Sequence, residues 1–437
     1  MNGAASSQLQ QGSHDHGQAE RLPRLLSGRF GTGPAGLDEH LARHGPVPSC
    51  GHDQRRRDEM IDAVGRAGLT GRGGASFPTA RKLAAVASGR RRPVLIANGT
   101  EGEPASAKDK VLLAQEPHLV LDGAVLAAEM VGAGRAVIVV HHAVREIVQH
   151  AATERRRRGI DRVRVQVMTA ADQFVAGEAS AVVHWVERGV AKPTRTPPRL
   201  SERGLEGRPT LVQNVETLAH LALIARHGPS WFRSVGTPAE PGSMLVTLMG
   251  ALRRPGVYEV GIGTPVSEVL GLAGGTSAPL AALLVGGYFG TWVKWDSAAA
   301  LPFSVAGLET VGAGPGAGLV VALPADACGL TETARVTRYL ASESAGQCGP
   351  CVFGLASIAG QLEALVDGRA HDVGRLRRWL GQVDGRGACR HPDGVVRMVG
   401  SALDLFSAEI DQHALGWCCG TGATSVLPVP PQAARWR

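Results

Sequence analysis

Between residues 93 and 186 the chain alternates short apolar runs with longer helical ones, and few architectures accommodate that rhythm. Residues 93–97 are apolar, bounded by basic residues and by Asn98-Gly99, and read as a buried strand. Residues 119–131 form a long apolar helix, 136–140 the next strand, 162–167 an alternating strand, and 179–186 a further helix. Strands separated by helices are joined by crossovers and not by hairpins, which predicts an α/β domain built on a largely parallel sheet. In such a sheet ligands gather at the carboxyl ends of the strands, so the turns after the strands are where chemistry is expected.

The flanks follow other patterns. Residues 58–67 are amphipathic and run into a glycine-rich loop at 68–74; another helix begins after Pro78 and carries Arg81 and Lys82. Beyond Trp231, the segments 244–249, 266–272 and 282–285, with a turn at Arg254-Pro255-Gly256, give a small β-rich domain with one helix. Beyond Pro324 four segments, 331–342, 352–366, 373–383 and 396–415, read as helices with cysteines between them, a compact bundle. Residues 1–35, rich in Gln, Ser, His and Gly, read as a flexible leader, His14-Asp15-His16 included. The expected domains are therefore a leader (1–35), an α/β domain (36–235), a β-rich domain (240–318), a helical domain (325–416) and an irregular tail (417–437).

Composition narrows the function. Aromatic residues make up 4% of the 437 positions, too few for a nucleic-acid stacking platform, and no nucleic-acid motif accompanies the net charge of +7. The basic runs at 55–57, 90–92 and 155–158 read as solvated faces, with a docking patch for an acidic protein as the sharper alternative. No apolar run is long enough to span a bilayer and no signal-peptide core is visible, so a cytoplasmic protein without membrane insertion is expected. In that compartment spaced cysteines are metal ligands more often than disulfides.

Cys348 and Cys351, three positions apart, and Cys389 beyond them form the skeleton of an iron–sulfur site. Four polar or glycine-rich turns accompany it. Gly71-Arg72-Gly73-Gly74 lets backbone approach a phosphate or a ring, with Lys82 placed to offer a cation. Asn98-Gly99-Thr100-Glu101-Gly102-Glu103 follows directly on a strand, and Gly177-Glu178 and Asn214-Val215-Glu216-Thr217 supply further hydrogen-bonding groups. Each turn alone is equally an ordinary loop or a helix cap.

In this order the motifs resemble the flavin-bearing, NADH-oxidising component of respiratory complex I (its 51-kDa or F subunit) and its relatives in soluble hydrogenases and formate dehydrogenases. The matching stretches span roughly residues 60 to 410. The resemblance implies a Rossmann-like FMN domain, a β-grasp (ubiquitin-like) domain and a C-terminal four-helix bundle. It implies FMN bound by Gly71, Arg72, Gly73, Gly74, Lys82, Asn98, Glu101, Gly177, Glu178, Asn214 and Thr217. It further implies hydride taken from NAD(P)H near Glu101, Glu103 and Glu178, and an iron–sulfur cluster, [4Fe–4S] in the family, on Cys348, Cys351 and Cys389. The expected partner is a ferredoxin-like or other iron–sulfur protein.

The chain departs from the family pattern in places. Ala345 stands where the first cluster cysteine belongs, which leaves Ser344, His391, water, Cys418 or Cys419 as fourth ligand, or a three-iron cluster, or none; zinc on three cysteines and a histidine is chemically allowed. Arg199 follows Pro197-Pro198 where the family carries an aromatic, another aromatic is replaced near Ala85, Phe174 replaces a tyrosine, and Ala179 replaces a glutamate. Two other readings stay open: a cluster-free flavin reductase acting on a small acceptor, and a non-catalytic interaction module.

Overall fold

The computed structural model describes residues 22–26, 33–194, 197–369, 372–417, 420 and 425–430. Helices α1 (Leu37–His44) and α2 (Gln54–Ala67) lead in. α2 starts earlier than its periodicity predicts because Asp53 caps it, accepting the Arg55 N–H at 3.0 Å, and the left-handed Gly68 (φ 74°) ends it. After the glycine-rich loop comes α3 (Thr79–Ala87).

Strands β1 (Val94–Gly99), β2 (Arg135–Val140), β3 (Arg164–Thr169) and β4 (Thr210–Asn214) form a parallel sheet in the order β3-β2-β1-β4. Helices α4 (Lys108–Gln115), α5 (Pro117–Met130), α6 (Arg145–Arg157), α7 (Ala179–Arg188) and α8 (Val215–Arg233) connect and cover it. The chain leaves β1 on one side and returns to β4 on the other, so the reversal of direction falls between these two strands, the place where open α/β sheets form a ligand crevice at their carboxyl ends. α5 is buried along its whole length, which explains its largely apolar sequence, and its three ionisable residues, His118, Asp122 and Glu129, are buried with it. It packs on α8 so closely that a methyl on Gly123 would overlap the Leu218 carbonyl.

A second sheet, β6-β5-β9-β7-β8, is built from β5 (Ser243–Gly250), β6 (Gly256–Gly261), β7 (Leu280–Val285), β8 (Thr291–Lys294) and β9 (Leu319–Pro324). β5 and β9 pair in parallel and the other pairs are antiparallel. Three helices accompany it where one is expected: α9 (Val266–Leu272) and the short α10 (Trp295–Ala298) and α11 (Val305–Glu309), too brief for periodicity to reveal.

The C-terminal part comprises α12 (Gly329–Ser342), a π-helical turn (Pro350–Leu355), α13 (Ala356–Val366), α14 (Val373–Val383), α15 (His391–Leu405) and α16 (Ser407–Ala414). The single helix expected over 396–415 is two, broken at Phe406 (φ −100°, ψ 28°), whose ring packs edge-on to Trp292 at 5.4 Å. Leu284 and Leu323 of the second sheet share one core with Leu340, Leu355 and Val399 of the helices.

Two expectations need correcting. Residues 22–26 are no loose leader: Leu25 and Leu26 are buried, and the N–H groups of Arg24 and Leu25 donate to Glu259 Oε2 at 2.6 and 2.7 Å. His14-Asp15-His16, Cys418 and Cys419 lie outside the described residues. The basic run 155–158 is not wholly a solvated face, since Arg155 is buried and pairs with Asp122 at 2.7 Å and Asp161 at 2.8 Å. Among the described residues no single helix is long and apolar enough to cross a membrane; α4 and α5 together meet that length but are bent by 98°.

Candidate functional site

The site is assembled from backbone first. Gly71 N–H donates to the Phe77 carbonyl and Thr79 N–H to the Leu69 carbonyl, both at 2.9 Å, which pins the base of the glycine-rich loop. Arg72 N–H donates to Thr217 Oγ1 at 2.9 Å, tying the loop to the first turn of α8. Between these anchors the N–H groups of Gly73, Gly74 and Ala75 meet no protein acceptor among the described residues. A Cβ on Gly73 would sit 3.3 Å from Asn214, and Gly74 has φ 104°, so the close approach depends on both glycines. Lys82 lies alongside, its ammonium donating to the Val212 carbonyl of β4. Burial pushes its pKa down to about 8, and among the described residues no carboxylate pairs with it. Open amides and a buried cation without a counter-ion are what an anionic ligand requires.

The turns after β1 and β4 close the crevice. Asn98 Nδ2 donates to the Gly177 carbonyl at 2.9 Å, Asn214 Nδ2 to Asp109 Oδ2 at 2.7 Å, and Asn214 Oδ1 caps α8 by accepting the Glu216 N–H. Gly71, Gly73, Gly74, Lys82, Asn98, Gly177, Asn214 and Thr217 thus gather around the ends of two neighbouring strands. Arg72 contributes differently from the expectation. Its guanidinium is buried and commits three of its five N–H donors, to the Ser243 and Pro241 carbonyls (3.2 and 3.4 Å) and to Thr70 Oγ1 (2.8 Å), so the side chain fastens the loop to β5.

The three expected carboxylates also separate. Glu101, at the strained φ of 44°, accepts from Ser106 Oγ (2.6 Å) and from the N–H groups of Asp109 (3.1 Å) and Lys110 (2.9 Å), and so caps α4. Glu178 caps α7 through the N–H groups of Ser180 and Ala181, each at 2.9 Å. Glu103 differs in keeping a buried oxygen uncommitted: Oε2 accepts the Tyr288 N–H at 3.0 Å, while Oε1 is buried with no partner. Gly287 (φ 90°) makes room for it, since a Cβ there would lie 2.8 Å from Glu103 Oε2. Burial pushes the Glu103 pKa up to about 8, so this carboxyl can exchange a proton near neutral pH. The sequence carries no local sign of this environment, because Gly287 and Tyr288 come from the β7–β8 connection far along the chain.

The same proton bears on stability. The folded pKa lies above the ordinary value, so the folded state holds the proton more tightly. That stability is fully present below about pH 4.5 and is lost as pH rises through about 8, at up to about 1.4 kcal/mol per pH unit. Glu103→Gln, neutral throughout, is expected to flatten the fall in unfolding free energy between about pH 5 and about pH 8 in urea titrations of the ligand-free protein. An unchanged slope would assign that proton to another group.

Cys348, Cys351 and Cys389 come together. Burial, then Cys348, pushes the Cys351 pKa up to about 12, and Cys389 adds to the shift. Cys389 is also raised by burial, and Glu178 and Cys348 reinforce the shift. Ala345 is buried next to Ser344. His391 Nε2 lies 2.8 Å from the Leu340 carbonyl and therefore carries the proton, while its Nδ1 is buried and unpartnered.

The two halves are joined through the segment 174–178, with Glu343 and Phe289 as partners outside the expected site residues. Phe174 N–H donates to Glu343 Oε2 at 2.8 Å, immediately before Ser344, and the Phe174 ring packs edge-on to Phe289 and His391 at 4.9 and 5.8 Å. The short segment from Phe174 to Glu178 therefore bonds to Asn98 through Gly177, and the Glu178 charge acts on the Cys389 thiol. Phe77, half-exposed beneath the Arg81 guanidinium at 5.5 Å, is a further aromatic at the loop.

Comparison with known proteins agrees with this geometry. Residues 64–223 match the Nuo51 FMN-binding domain, 331–413 the NADH-ubiquinone oxidoreductase-F iron-sulfur binding region, and 245–287 the SLBB domain. The chain is 30% identical over 384 residues to the F subunit of NADH-quinone oxidoreductase in Mycobacterium bovis, covering 83% of this chain and 86% of that one. It is 29% identical over 380 residues to the corresponding F subunit in Streptomyces coelicolor, covering 83% and 84%. Among solved structures, that of an air-oxidized NAD+-reducing [NiFe]-hydrogenase superposes with a TM-score of 0.77 at 30% identity, covering 84% of this chain and 64% of that one. The fold and site define a flavin-domain protein with an attached iron–sulfur region. The chain belongs to the family of NADH-quinone oxidoreductase F subunits.

Proposed function

We propose that the chain is an NADH-oxidising FMN flavoprotein that passes electrons through an iron–sulfur centre to a separate iron–sulfur protein. The observation that carries this reading is one continuous site, with open amides and unpaired Lys82 at one end and three gathered thiols at the other, linked by residues 174–178. FMN, when bound, supplies the conversion between two-electron and one-electron chemistry. The amides of Gly73 and Gly74 and the Lys82 ammonium would hold its phosphate. Asn98, Gly177, Asn214 and Thr217 fix the walls, and Glu103 holds or releases a proton beside the crevice. Cys348, Cys351 and Cys389 would hold the cluster, with the fourth position supplied by something other than Ala345.

The finer domain reading is of a Rossmann-like domain over 36–235, a β-grasp domain over 240–318 and a cluster-bearing helical domain over 325–416. A ferredoxin-like partner fits the surface next to the cysteines, where Phe353 is 73% exposed and Val352 44%, directly after Cys351. Phe353→Ser is expected to slow electron delivery to such a partner while leaving flavin reduction by NADH unchanged in stopped-flow traces; equal slowing of both steps would remove the docking role.

The first test is an absorbance spectrum with iron and sulfide analysis on anaerobically purified protein, before and after NADH. Flavin bands that bleach with NADH, together with stoichiometric iron, support the proposal. Flavin without iron would replace it with a direct flavin reductase, and neither chromophore would leave a non-catalytic module.

A further inference from the structure

Away from the crevice, α1 and the junction of α4 and α5 bring a second set of donor atoms together. His40 and His44 are four residues apart on α1 and so share one face. One donor atom from each of them and one from Glu116 all lie within 4.8 Å of one another. His40 is fully buried; its Nε2 lies 2.7 Å from Asp122 Oδ2, and its Nδ1 is buried without a partner. Glu116, 1% exposed, accepts from Arg43 through Oε1 at 2.8 Å, and its Oε2 is likewise buried and unpartnered. Buried polar atoms are almost always satisfied, so two orphans converging with a third donor point to an occupant.

We propose that His40, His44 and Glu116 form a divalent-metal site, taking zinc or a similar first-row ion, that pins α1 to the α4–α5 junction. Two imidazoles and a carboxylate are a zinc-type donor set, with a remaining position for water. The outer partners are already in place. Asp122 engages the second nitrogen of His40, as carboxylates do for metal-bound histidines, and Arg43 orients Glu116 through its other oxygen. Glu116 both ends α4 and precedes the first turn of α5, so a metal there would brace the 98° bend between them.

The surrounding cations do not forbid a further positive charge. Arg43, Arg155 and Arg226 all face this cluster, but each is already paired: Arg43 with Glu39 and Glu116, Arg155 with Asp122 and Asp161, Arg226 with Asp122. His118, its ring 5.7 Å from that of His40, pairs with Glu154 at 3.3 Å.

The test is a cobalt titration of the full chain after dialysis against chelator, followed by absorbance. One equivalent is expected to give weak d–d bands without the sulfur-to-cobalt charge transfer that binding at the cysteines would produce. His44→Ala, at a partly exposed position, is expected to weaken this binding by more than about 10-fold, the lower end of what even an outer-shell partner is worth. Glu116→Gln, which keeps the shape, should do the same, and zinc should raise the thermal midpoint of the parent chain but not of either variant. Equal cobalt binding by parent and variants would overturn the proposal and move the metal elsewhere. So would charge-transfer bands alone, or no binding in excess cobalt, which would leave buried water as the occupant.

Discussion

Replacing Lys108 by methionine is expected to destabilise the chain by about 3–5 kcal/mol, the range for breaking a buried ion pair from one side. Lys108 is 2% exposed, and its ammonium lies 2.7 Å from Asp109 Oδ1 and 2.8 Å from Glu216 Oε2, the latter residue fully buried. Burial opposes the charge on Lys108, but Asp109 and Glu216 outweigh it and hold the pKa above the ordinary lysine value. Methionine fills the stem and removes the charge, leaving Glu216 held only by the Leu245 N–H at 2.8 Å. The group also couples α4, α8 and β5, so urea unfolding should show the loss as a shifted midpoint with the slope kept. The Glu216 pKa is already raised by burial, and losing its cation raises it further. The variant should therefore recover part of the deficit as pH falls and the carboxyl takes up a proton. A midpoint equal to the parent's would mean the triad contributes nothing net. Because Asp109 also accepts from Asn214, flavin retention should fall in the same variant.

Changing Cys389 to serine is expected to cost the iron while sparing the flavin. Cys348 and Cys351 share one loop, and Cys389, at the start of α15, is the thiol that closes the site across the bundle. With Ala345 already unable to ligate, losing a third thiolate should lower cluster affinity by more than about 100-fold, since an outer-shell partner alone is worth 10–100-fold. Iron and sulfide analysis should drop toward zero, flavin should still bleach with NADH, and delivery to a one-electron protein acceptor should fall to background. Full iron content in this variant would remove Cys389 from the ligand set. Ala345→Cys is the reverse experiment: if the fourth corner lies there, iron stoichiometry and resistance to chelators should rise.

Much of this was legible in the sequence where chemistry and periodicity agree. The strands at 93–97 and 136–140 are apolar because both faces of a parallel sheet are covered, and the turns after β1 and β4 carry Asn98 and Asn214 to the crevice. The cysteine spacing alone points to an iron–sulfur site inside the region, 331–413, that matches an iron-sulfur binding family. What escaped was set by contacts distant in sequence. Arg72 sits inside a glycine-rich motif, yet its side chain is drawn into Pro241 and Ser243 of another sheet, which nothing local records. Arg155 stands in a basic run that looks solvated, but Asp122 and Asp161 bury it. The break at Phe406 has neither glycine nor proline to mark it, and packing against Trp292 accompanies it. The unusual carboxyl of Glu103 depends on the Tyr288 N–H and on the space left by Gly287, from a strand connection far along the chain.

The wide helical turn over Pro350–Leu355 sets how this family member can vary. A π-turn holds one residue more than an α-turn, and α13 continues directly from it. Removing any one residue of 352–355 would let the turn relax into an ordinary helix and swing Cys351 by about 100° against α13, since each helical residue advances by a 3.6th of a circle. Every cysteine would survive such a deletion in an alignment, and the centre would still be dismantled. For this stretch the heritable information lies in the tally of residues as much as in their identity, so relatives that differ by a single gap here are functionally further apart than relatives differing by several substitutions.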